Sequence, residues 1–215
     1  QHALCISVTR FFRDPEVWDE LRDQVMPSLL AGARRGEPLR AWVVGCSTGE
    51  EAYTLAMVHA EAAEAFTART GQPAPALQIF ASDLSAQALQ VARRAHYPAR
   101  VADEVGSQRL LRFFRPMQGG YSVDKTIRDR VLFARHDVIL DPPFTRLDLL
   151  SCRNLMIYFN AALQRRLLPL FAYSLRPGGA LLLGGSETVG HAPNLFTPVN
   201  PRSRLYWRSR HTLHA

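Results

Sequence analysis

The chain has 215 residues, of which 47% are hydrophobic and 21% are charged. These proportions are typical of a folded protein and exclude a disordered one, and the length indicates one domain with a small appendage at most. No uncharged apolar run approaches the roughly 20 residues that a membrane helix needs, and the first residues lack the pattern of a signal peptide. Because the sequence does not begin with Met, we expect it to be part of a longer protein.

Basic residues outnumber acidic residues by 26 to 19, which gives a formal net charge of +7. Positive charge can attract nucleic acid, an acidic protein or a phosphorylated ligand. The basic residues are spread along the whole chain, however, and this distribution favours a solvated basic surface. The 3 cysteines are Cys5, Cys46 and Cys152. Their wide spacing predicts neither a disulfide framework nor a metal site, and it favours a reducing, cytoplasmic location.

Strands and helices are predicted to alternate along most of the chain. Asp14 and Pro15 favour a helix start, as N-cap and first helical residue. Buried strands are predicted at residues 39–44, 77–82, 131–134, 147–151 and 180–184, with a final edge strand at 205–207. Helices are predicted at about 50–63, after Ser85, and from Asn160 to the Pro177-Gly178-Gly179 stop, with a loop at 64–76. This alternation predicts an α/β fold with a mostly parallel sheet and helices on both faces.

The turn after the first predicted strand has the sequence GCSTGEEAY, residues 45–53. Its small residues let a ligand approach the backbone closely, but the Gly45-x-x-x-Gly49 spacing is neither a dinucleotide fingerprint nor a P-loop. Glu50 and Glu51 would repel a pyrophosphate and would suit a ligand with a cationic group. The same two acids would also suit the positive end of a helix.

Asp83 follows the second predicted strand, where an acid can accept hydrogen bonds from ribose hydroxyls. It could equally cap the next helix. A glycine turn and an acid in these places predict a nucleoside cofactor without phosphates, and S-adenosyl-L-methionine (SAM) has the sulfonium and ammonium groups that glutamates would meet. After the fourth strand, Arg153, Asn154 and Tyr158 are polar residues in an apolar run, which fits a site or a buried network.

Five motifs in the same order resemble the CheR family of chemotaxis receptor methyltransferases, over about residues 6 to 190. They are T-x-FFRD at 9–14, GCSTGEEAY at 45–53, ASDLS at 81–85, CRNLMIYF at 152–159 and LRPGGALLLGGSE at 175–187. The resemblance implies a Rossmann-like SAM-dependent methyltransferase fold. It also implies methyl transfer to glutamates of a chemoreceptor-like partner, with S-adenosyl-L-homocysteine as the product. The run PFTRLDLLSCRN is most similar to CheR parts of proteins fused to a methylesterase, so fused signalling domains are expected.

The resemblance also implies roles for individual residues. The expected cofactor-binding residues are Ser7, Thr9, Arg13, Gly45, Glu51, Asp83, Asp137, Val138, Asn154 and Leu155. Glu51 would meet the methionine end of the cofactor, Asp83 its ribose, and Asp137 with Val138 its adenine. Arg13 and Tyr158 would place the acceptor carboxylate, and Arg153 is the third candidate catalytic residue. The family more often has Asn in place of Ser7, and Asn-Leu in place of Asp137-Val138.

Residues 97–130 interrupt the alternation, and we predict a small β insert there with a strand pair around Gly119-Gly120. The resemblance implies that such an insert docks receptors in some members. We therefore predict an N-terminal segment at 1–13 that lines the cofactor site, a catalytic domain at 14–96 and 131–215, and the insert between them. The family's N-terminal helical domain is expected to be absent.

Two other functions remain open. DPPF at residues 141–144 resembles the DPPY-type motif of nucleic-acid amino-methyltransferases, and a basic protein would suit nucleic acid. In those enzymes the motif follows the fourth strand, whereas here it precedes the fourth predicted strand, so nucleic acid is the less favoured partner. The domain could also bind SAM without catalysis, as a sensor or scaffold in a larger signalling protein.

Overall fold

A computed structural model describes residues 9–153, 155, 158–184, 189–190 and 192–210. The helices are α1 (Pro15–Glu20), a π-helical turn (Leu21–Val25), α2 (Met26–Gly32), α3 (Glu50–Thr70), α4 (Ala86–Arg94), α5 (Val101–Val105), α6 (Ser107–Phe113), α7 (Lys125–Arg128) and α8 (Ala161–Ser174). The strands are β1 (Leu39–Val44), β2 (Leu77–Asp83), β3 (His96–Pro98), β4 (Phe114–Met117), β5 (Gly120–Val123), β6 (Val131–Arg135), β7 (Leu147–Cys152), β8 (Leu175–Leu183), β9 (Phe196–Pro198) and β10 (Leu205–Arg208). Within the described ranges, no helix has the length and apolar character needed to cross a membrane.

Seven strands form the central sheet, in the order β6-β2-β1-β7-β8-β10-β9. The five strands from β6 to β8 are parallel, and β10 runs antiparallel to both of its neighbours. The predicted Rossmann-like α/β fold is therefore confirmed, although β10 lies inside the sheet and β9, which was not predicted, forms the edge. The strand order reverses between β1 and β7, and the carboxyl ends of these strands are where such sheets bind ligands.

The residues of β1 alternate between the two faces of the sheet, since successive side chains of a strand point in opposite directions. Ala41 and Val43 join a hydrophobic cluster that includes the π-helical turn, α3 and α4. Trp42 and Val44 join a second cluster with α8. Because both faces are covered, every residue of the strand except Arg40 is apolar, and its predicted bounds are confirmed.

Three predicted helix ends can be compared with the structure. Ser85 and Asn160 cap α4 and α8, as predicted, because their side-chain oxygens accept hydrogen bonds from the N–H groups of Ala88 and Leu163. Helix α1 also begins as predicted, with Asp14 at the N-cap position and Pro15 as the first helical residue, but the Asp14 side chain does not cap it. Asp14 has φ 58° and makes no side-chain cap bond, and its carboxylate instead pairs with Arg153, as described below.

Two predicted boundaries, the end of α3 and the start of β8, were wrong. Helix α3 continues to Thr70, seven residues beyond its predicted end, because Phe66 is buried and the left-handed turn comes only at Gly71, with φ 70°. Strand β8 begins at Leu175 and includes the predicted Pro-Gly-Gly stop. A Cβ on Gly179 would lie 3.0 to 3.3 Å from three backbone carbonyl oxygens, so glycine lets β8 approach β7 where their register shifts.

Strands β3, β5 and β4 form a separate antiparallel sheet, which confirms the strand pair predicted around Gly119-Gly120. The side chains of Tyr97, Phe114 and Val123 belong to the same hydrophobic cluster as α3, so this small sheet packs on the main domain. The boundaries proposed for the three parts of the chain stay predictions. Residues 1–8 lie outside the described residues.

His59 is a buried histidine of α3 that connects two loops. Its Nε2 is 2.9 Å from the carbonyl oxygen of Pro75, and its Nδ1 is 2.9 Å from a guanidinium nitrogen of Arg130. The ring therefore donates from Nε2 and accepts at Nδ1, which fixes the neutral tautomer. Burial, together with the nearby Arg130 charge, lowers the pKa of His59 from 6.5 to about 4.

We predict that His59 makes the fold sensitive to acid. In the unfolded chain His59 takes up a proton near pH 6.5, whereas in the folded chain it does so only near pH 4. The contribution of His59 to the free energy of unfolding is therefore complete above pH 6.5, and it falls as the pH drops from 6.5 to 4. The free energy of unfolding should fall by about 2 kcal/mol from pH 7 to pH 5 through this group. Urea denaturation of His59→Gln should show a flatter profile over that range, whereas the exposed control His96→Gln should behave as the wild type. A His59→Gln profile as steep as the wild type would contradict this assignment.

Candidate active site

A cavity of about 490 Å³ lies beyond the carboxyl ends of β1, β2, β6 and β7. This volume is within the range of about 300–1,000 Å³ that small-molecule sites occupy. The predicted site residues on its wall are Thr9, Arg13, Gly45, Glu51, Asp83, Asp137, Val138, Arg153, Leu155 and Tyr158. Every predicted site residue that the structure describes thus lines one cavity, and their individual roles stay predictions. Ser7 and Asn154 lie outside the described residues.

The glycine turn forms the wall at the end of β1 and depends on left-handed backbone. Gly45, Ser47 and Gly49 have φ values of 69°, 50° and 97°. A Cβ on Gly49 would lie 2.9 Å from the Cβ of Ala92, which is closer than side chains tolerate. The turn can therefore pack against α4 only because residue 49 is glycine.

Asp83, the last residue of β2, holds this turn in place. One carboxylate oxygen accepts the N–H of Ser47 at 2.8 Å, and the other accepts the N–H of Ser85 at 2.9 Å. Asp83 therefore joins the connection after β1 to the connection after β2. Each carboxylate oxygen can accept a further hydrogen bond, so the structural role and a contact with ribose hydroxyls are compatible.

Glu51 lies in the first turn of α3, where the helix dipole favours negative charge. Its Oε1 accepts a hydrogen bond from the hydroxyl of Ser151 at 2.7 Å, and the Nε of Arg153 is 4.0 Å away. Ser151 and Arg153 are at and just after the end of β7, on the other side of the crevice. Glu51 thus presents a largely buried carboxylate that is hydrogen-bonded to a hydroxyl and lies within ion-pair distance of a guanidinium.

Glu50, the neighbouring acid of the motif, has a different environment. It is buried and does not line the cavity, and it accepts a hydrogen bond from the Thr48 hydroxyl. Burial raises the pKa of Glu50, and the Thr48 hydrogen bond opposes that rise. The pair of glutamates in the sequence therefore divides into one acid at the cavity and one inside the fold.

Arg153 is buried and connects the end of β7 to the N-terminal segment. It donates to the carboxylate of Asp14 at 2.7 Å and to the carbonyl oxygen of Arg13 at 3.1 Å. The same carbonyl accepts the indole N–H of Trp18, and the guanidinium lies 5.4 Å from the centre of that ring. These contacts fix the backbone of Arg13 beside the cavity, while the hydroxyl-bearing ring of Tyr158 is 58% exposed at its mouth.

Asp137 lines the cavity, but its side chain shapes the loop after β6. Its Oδ1 accepts the N–H groups of Ile139 and Leu140 at 2.8 and 3.1 Å. The N–H of Asp137 donates in turn to the carboxylate of Asp141, the first residue of DPPF. The phenyl ring of Phe144, the last residue of that motif, stacks on Phe80 at 4.9 Å. DPPF therefore serves as a packed loop before β7.

Sequence reasoning missed several residues of the cavity wall. These are Arg10, Trp18, Val44, Cys46, Ser47, Ser82, Leu84, His136, Ile139 and Phe159. Most of them follow the end of a strand or are adjacent in sequence to a predicted residue. That position in the sequence could have identified them as cavity residues. Burial and the nearby Asp83 and Glu51 carboxylates raise the pKa of the Cys46 thiol, which disfavours the thiolate that a nucleophilic cysteine needs. Among the described residues, no cluster of three or more His, Cys, Asp or Glu side chains could hold a metal ion.

We predict that Asp83 is needed both for the turn and for the ligand. Asp83→Ala leaves the N–H groups of Ser47 and Ser85 without their acceptor, which should lower the free energy of unfolding by about 1–3 kcal/mol. Affinity for S-adenosylhomocysteine, measured by calorimetry, should fall roughly tenfold or more. Asp129→Asn, an exposed acid on the insert, serves as the control. Unchanged affinity in Asp83→Ala would show that the ribose assignment is wrong.

The chain is similar in sequence to a known protein family. The family model described as "CheR methyltransferase, SAM binding domain" matches residues 7–205. The chain is 33% identical to the putative methyltransferase Cher3 of Pseudomonas putida, over 96% of this chain and 74% of that protein. It is 35% identical to a chemotaxis protein methyltransferase of Listeria monocytogenes, over 86% of this chain and 67% of that protein.

The chain is also similar to a longer relative and to a solved structure. The chain is 41% identical to an uncharacterised 104.1 kDa protein of Rhodobacter capsulatus, over 96% of this chain but only 21% of that protein. A TehB-like SAM-dependent methyltransferase from Corynebacterium glutamicum shares 14% identity, with a TM-score of 0.41, over 83% of this chain and 72% of that chain. From the family match and the identities, the chain belongs to the CheR methyltransferase family and its cofactor is SAM.

Proposed function

We propose that the protein transfers a methyl group from SAM to glutamate carboxylates of a chemoreceptor or related signalling protein in the cytoplasm. The observation that supports this most directly is the single cavity that brings Glu51 and Asp83 together with Arg13 and Tyr158. The first pair suits a cationic nucleoside cofactor, and the second pair suits an anionic acceptor. Relatives named chemotaxis protein methyltransferase support the same acceptor class.

Methyl transfer to a carboxylate makes modest chemical demands on the protein. SAM supplies an electrophilic methyl group on a sulfonium when it is bound. The acceptor glutamate is already ionised at neutral pH, so the reaction needs no general base. What remains is to orient the carboxylate in line with the methyl group and to exclude water from it.

Each of these tasks can be assigned to residues of this chain. Arg13 and the hydroxyl of Tyr158 would donate hydrogen bonds to the acceptor carboxylate and orient its oxygens. Arg153 would act indirectly, by positioning other site residues, because it donates a hydrogen bond to the Arg13 carbonyl and faces Glu51. Glu51 would attract the ammonium and sulfonium end of the cofactor, and Asp83 would accept hydrogen bonds from its ribose hydroxyls.

We predict methyl-ester formation that depends on Arg13 and Tyr158. The full-length protein is incubated with SAM labelled on its methyl group and with membrane, soluble-protein and nucleic-acid fractions of its own cells. Alkali should then release volatile labelled methanol from the protein fractions. Arg13→Ala should lower this release by roughly 10- to 100-fold, the loss expected for a charged hydrogen bond, and Tyr158→Phe should lower it by roughly tenfold.

Tyr173→Phe is the matched control for Tyr158→Phe, because Tyr173 is also exposed but lies on α8 outside the cavity wall. Its methanol release should equal that of the wild type. Alkali-stable label in nucleic acid would overturn the proposal in favour of amino-methylation. If SAM binds but no fraction becomes labelled, the proposed reaction is wrong and a sensor role is favoured.

A further inference from the structure

The segment Thr9–Asp14, which carries the T-x-FFRD motif, lies between α3 and the insert. The N–H of Phe12 donates to the Thr54 hydroxyl of α3 at 3.2 Å. The N–H of Phe11 donates to the Glu104 carboxylate of α5 at 3.1 Å. On the other side of the segment, Thr9, Arg10 and Arg13 line the cavity. The insert therefore supports one wall of the site from behind.

Aromatic rings of the insert make this support rigid. The ring of Phe11 meets Tyr97 of β3 edge-on at 4.9 Å and Phe114 of β4 at 5.4 Å. The guanidinium of Arg109, in α6, lies 3.9 Å from the centre of the Phe12 ring. All four rings are buried, and such contacts favour one arrangement of the segment over others.

Tyr97 also contacts the glycine turn, residues 45–49, part of which lines the cavity. Its hydroxyl donates to the carbonyl oxygen of Thr48, in the glycine turn, at 2.7 Å. A Cβ on Gly49 would lie 3.0 Å from the same hydroxyl, so the phenol and the turn are in close contact. Burial raises the pKa of Tyr97 well above its usual value, so the hydroxyl stays a hydrogen-bond donor at any physiological pH.

One side chain of the insert therefore touches two of the segments that line the cavity. We propose that Tyr97 is a positioning residue that couples the small β sheet to the cofactor site, so that SAM affinity and the order of the insert depend on each other. This inference rests on the proposed placement of SAM in the cavity. Tyr97 does not line the cavity, so it would act through its contacts with the glycine turn and Phe11.

The Thr48 carbonyl is positioned so that its hydrogen bond to Tyr97 can affect the cofactor site. It belongs to the same turn as Ser47, whose N–H the Asp83 carboxylate accepts. Loss of the Tyr97 hydroxyl removes a buried hydrogen bond and lets the turn adopt other conformations, and the ligand must then restore order when it binds. By linkage, a ligand that needs the ordered turn must stabilise the insert in return.

Calorimetry with S-adenosylhomocysteine tests the first half of this inference, with Tyr97→Phe as the variant. Tyr53→Phe is the matched control, because the buried Tyr53 hydroxyl makes an equivalent 2.7 Å hydrogen bond to a carbonyl, that of Ala92 at the end of α4. Both variants should lose similar stability in urea denaturation. Tyr97→Phe should raise the Kd for S-adenosylhomocysteine about three- to tenfold, whereas Tyr53→Phe should leave it within twofold.

Kinetics and hydrogen exchange test whether the effect is on SAM binding and whether the ligand stabilises the insert in return. With labelled SAM, Tyr97→Phe should raise the KM for SAM and leave kcat at saturating SAM nearly unchanged, which a loss of folded protein would not do. S-adenosylhomocysteine should slow amide exchange in β3 and β5 relative to β8 in the wild type, and this extra protection should be smaller in Tyr97→Phe.

The outcomes separate this inference from the proposed function. Equal ligand affinity in the wild type and Tyr97→Phe, or equal loss in Tyr97→Phe and Tyr53→Phe, would overturn the positioning role and leave the proposed function intact. Normal ligand binding and coupling without methyl-ester formation would overturn the proposed function alone. If the wild type does not bind S-adenosylhomocysteine, both fail.

Discussion

The carboxylate of Asp83 joins two connections of the central sheet, and the geometry of the cavity depends on it. It accepts backbone N–H groups from Ser47, after β1, and from Ser85, after β2. These hydrogen bonds hold the glycine turn over the carboxyl end of β2. Because β1 also adjoins β7, where the strand order reverses, the crevice opens at that point and the side chains after β7 face the turn.

The charges around this crevice are arranged in compensating pairs. Arg153 has Asp14 on one side and Glu51 on the other, and Glu51 is also held by the Ser151 hydroxyl. A buried guanidinium without such partners would cost several kcal/mol, so the N-terminal segment that supplies Asp14 contributes to stability as well as to the site. The same network fixes the backbone of Arg13. This arrangement suits a reaction that needs orientation and exclusion of water more than proton transfer.

The small antiparallel sheet contacts segments that line the cavity, although it is inserted in the sequence between α4 and β6. Tyr97 contacts the glycine turn through its hydroxyl and the N-terminal segment through its ring. Glu104 holds the N–H of Phe11 from a second element of the insert. Two of the segments that line the cavity thus contact residues inserted between α4 and β6, and the insert is packed into the main hydrophobic cluster.

The sequence by itself determined the order and type of most elements, because strands covered on both faces are apolar runs and helices begin at residues such as Ser85 and Asn160. It also predicted which turns line the cavity, since the ends of parallel strands meet at one edge. It missed the length of α3 and the start of β8, where a buried Phe66 and a close approach at Gly179 override local signals. Only the tertiary structure decided that Asp14 pairs with Arg153, 139 residues away, and that Glu50 is buried while Glu51 faces the cavity. The physical reason is that partners distant in the chain have no spacing that a sequence pattern can reveal.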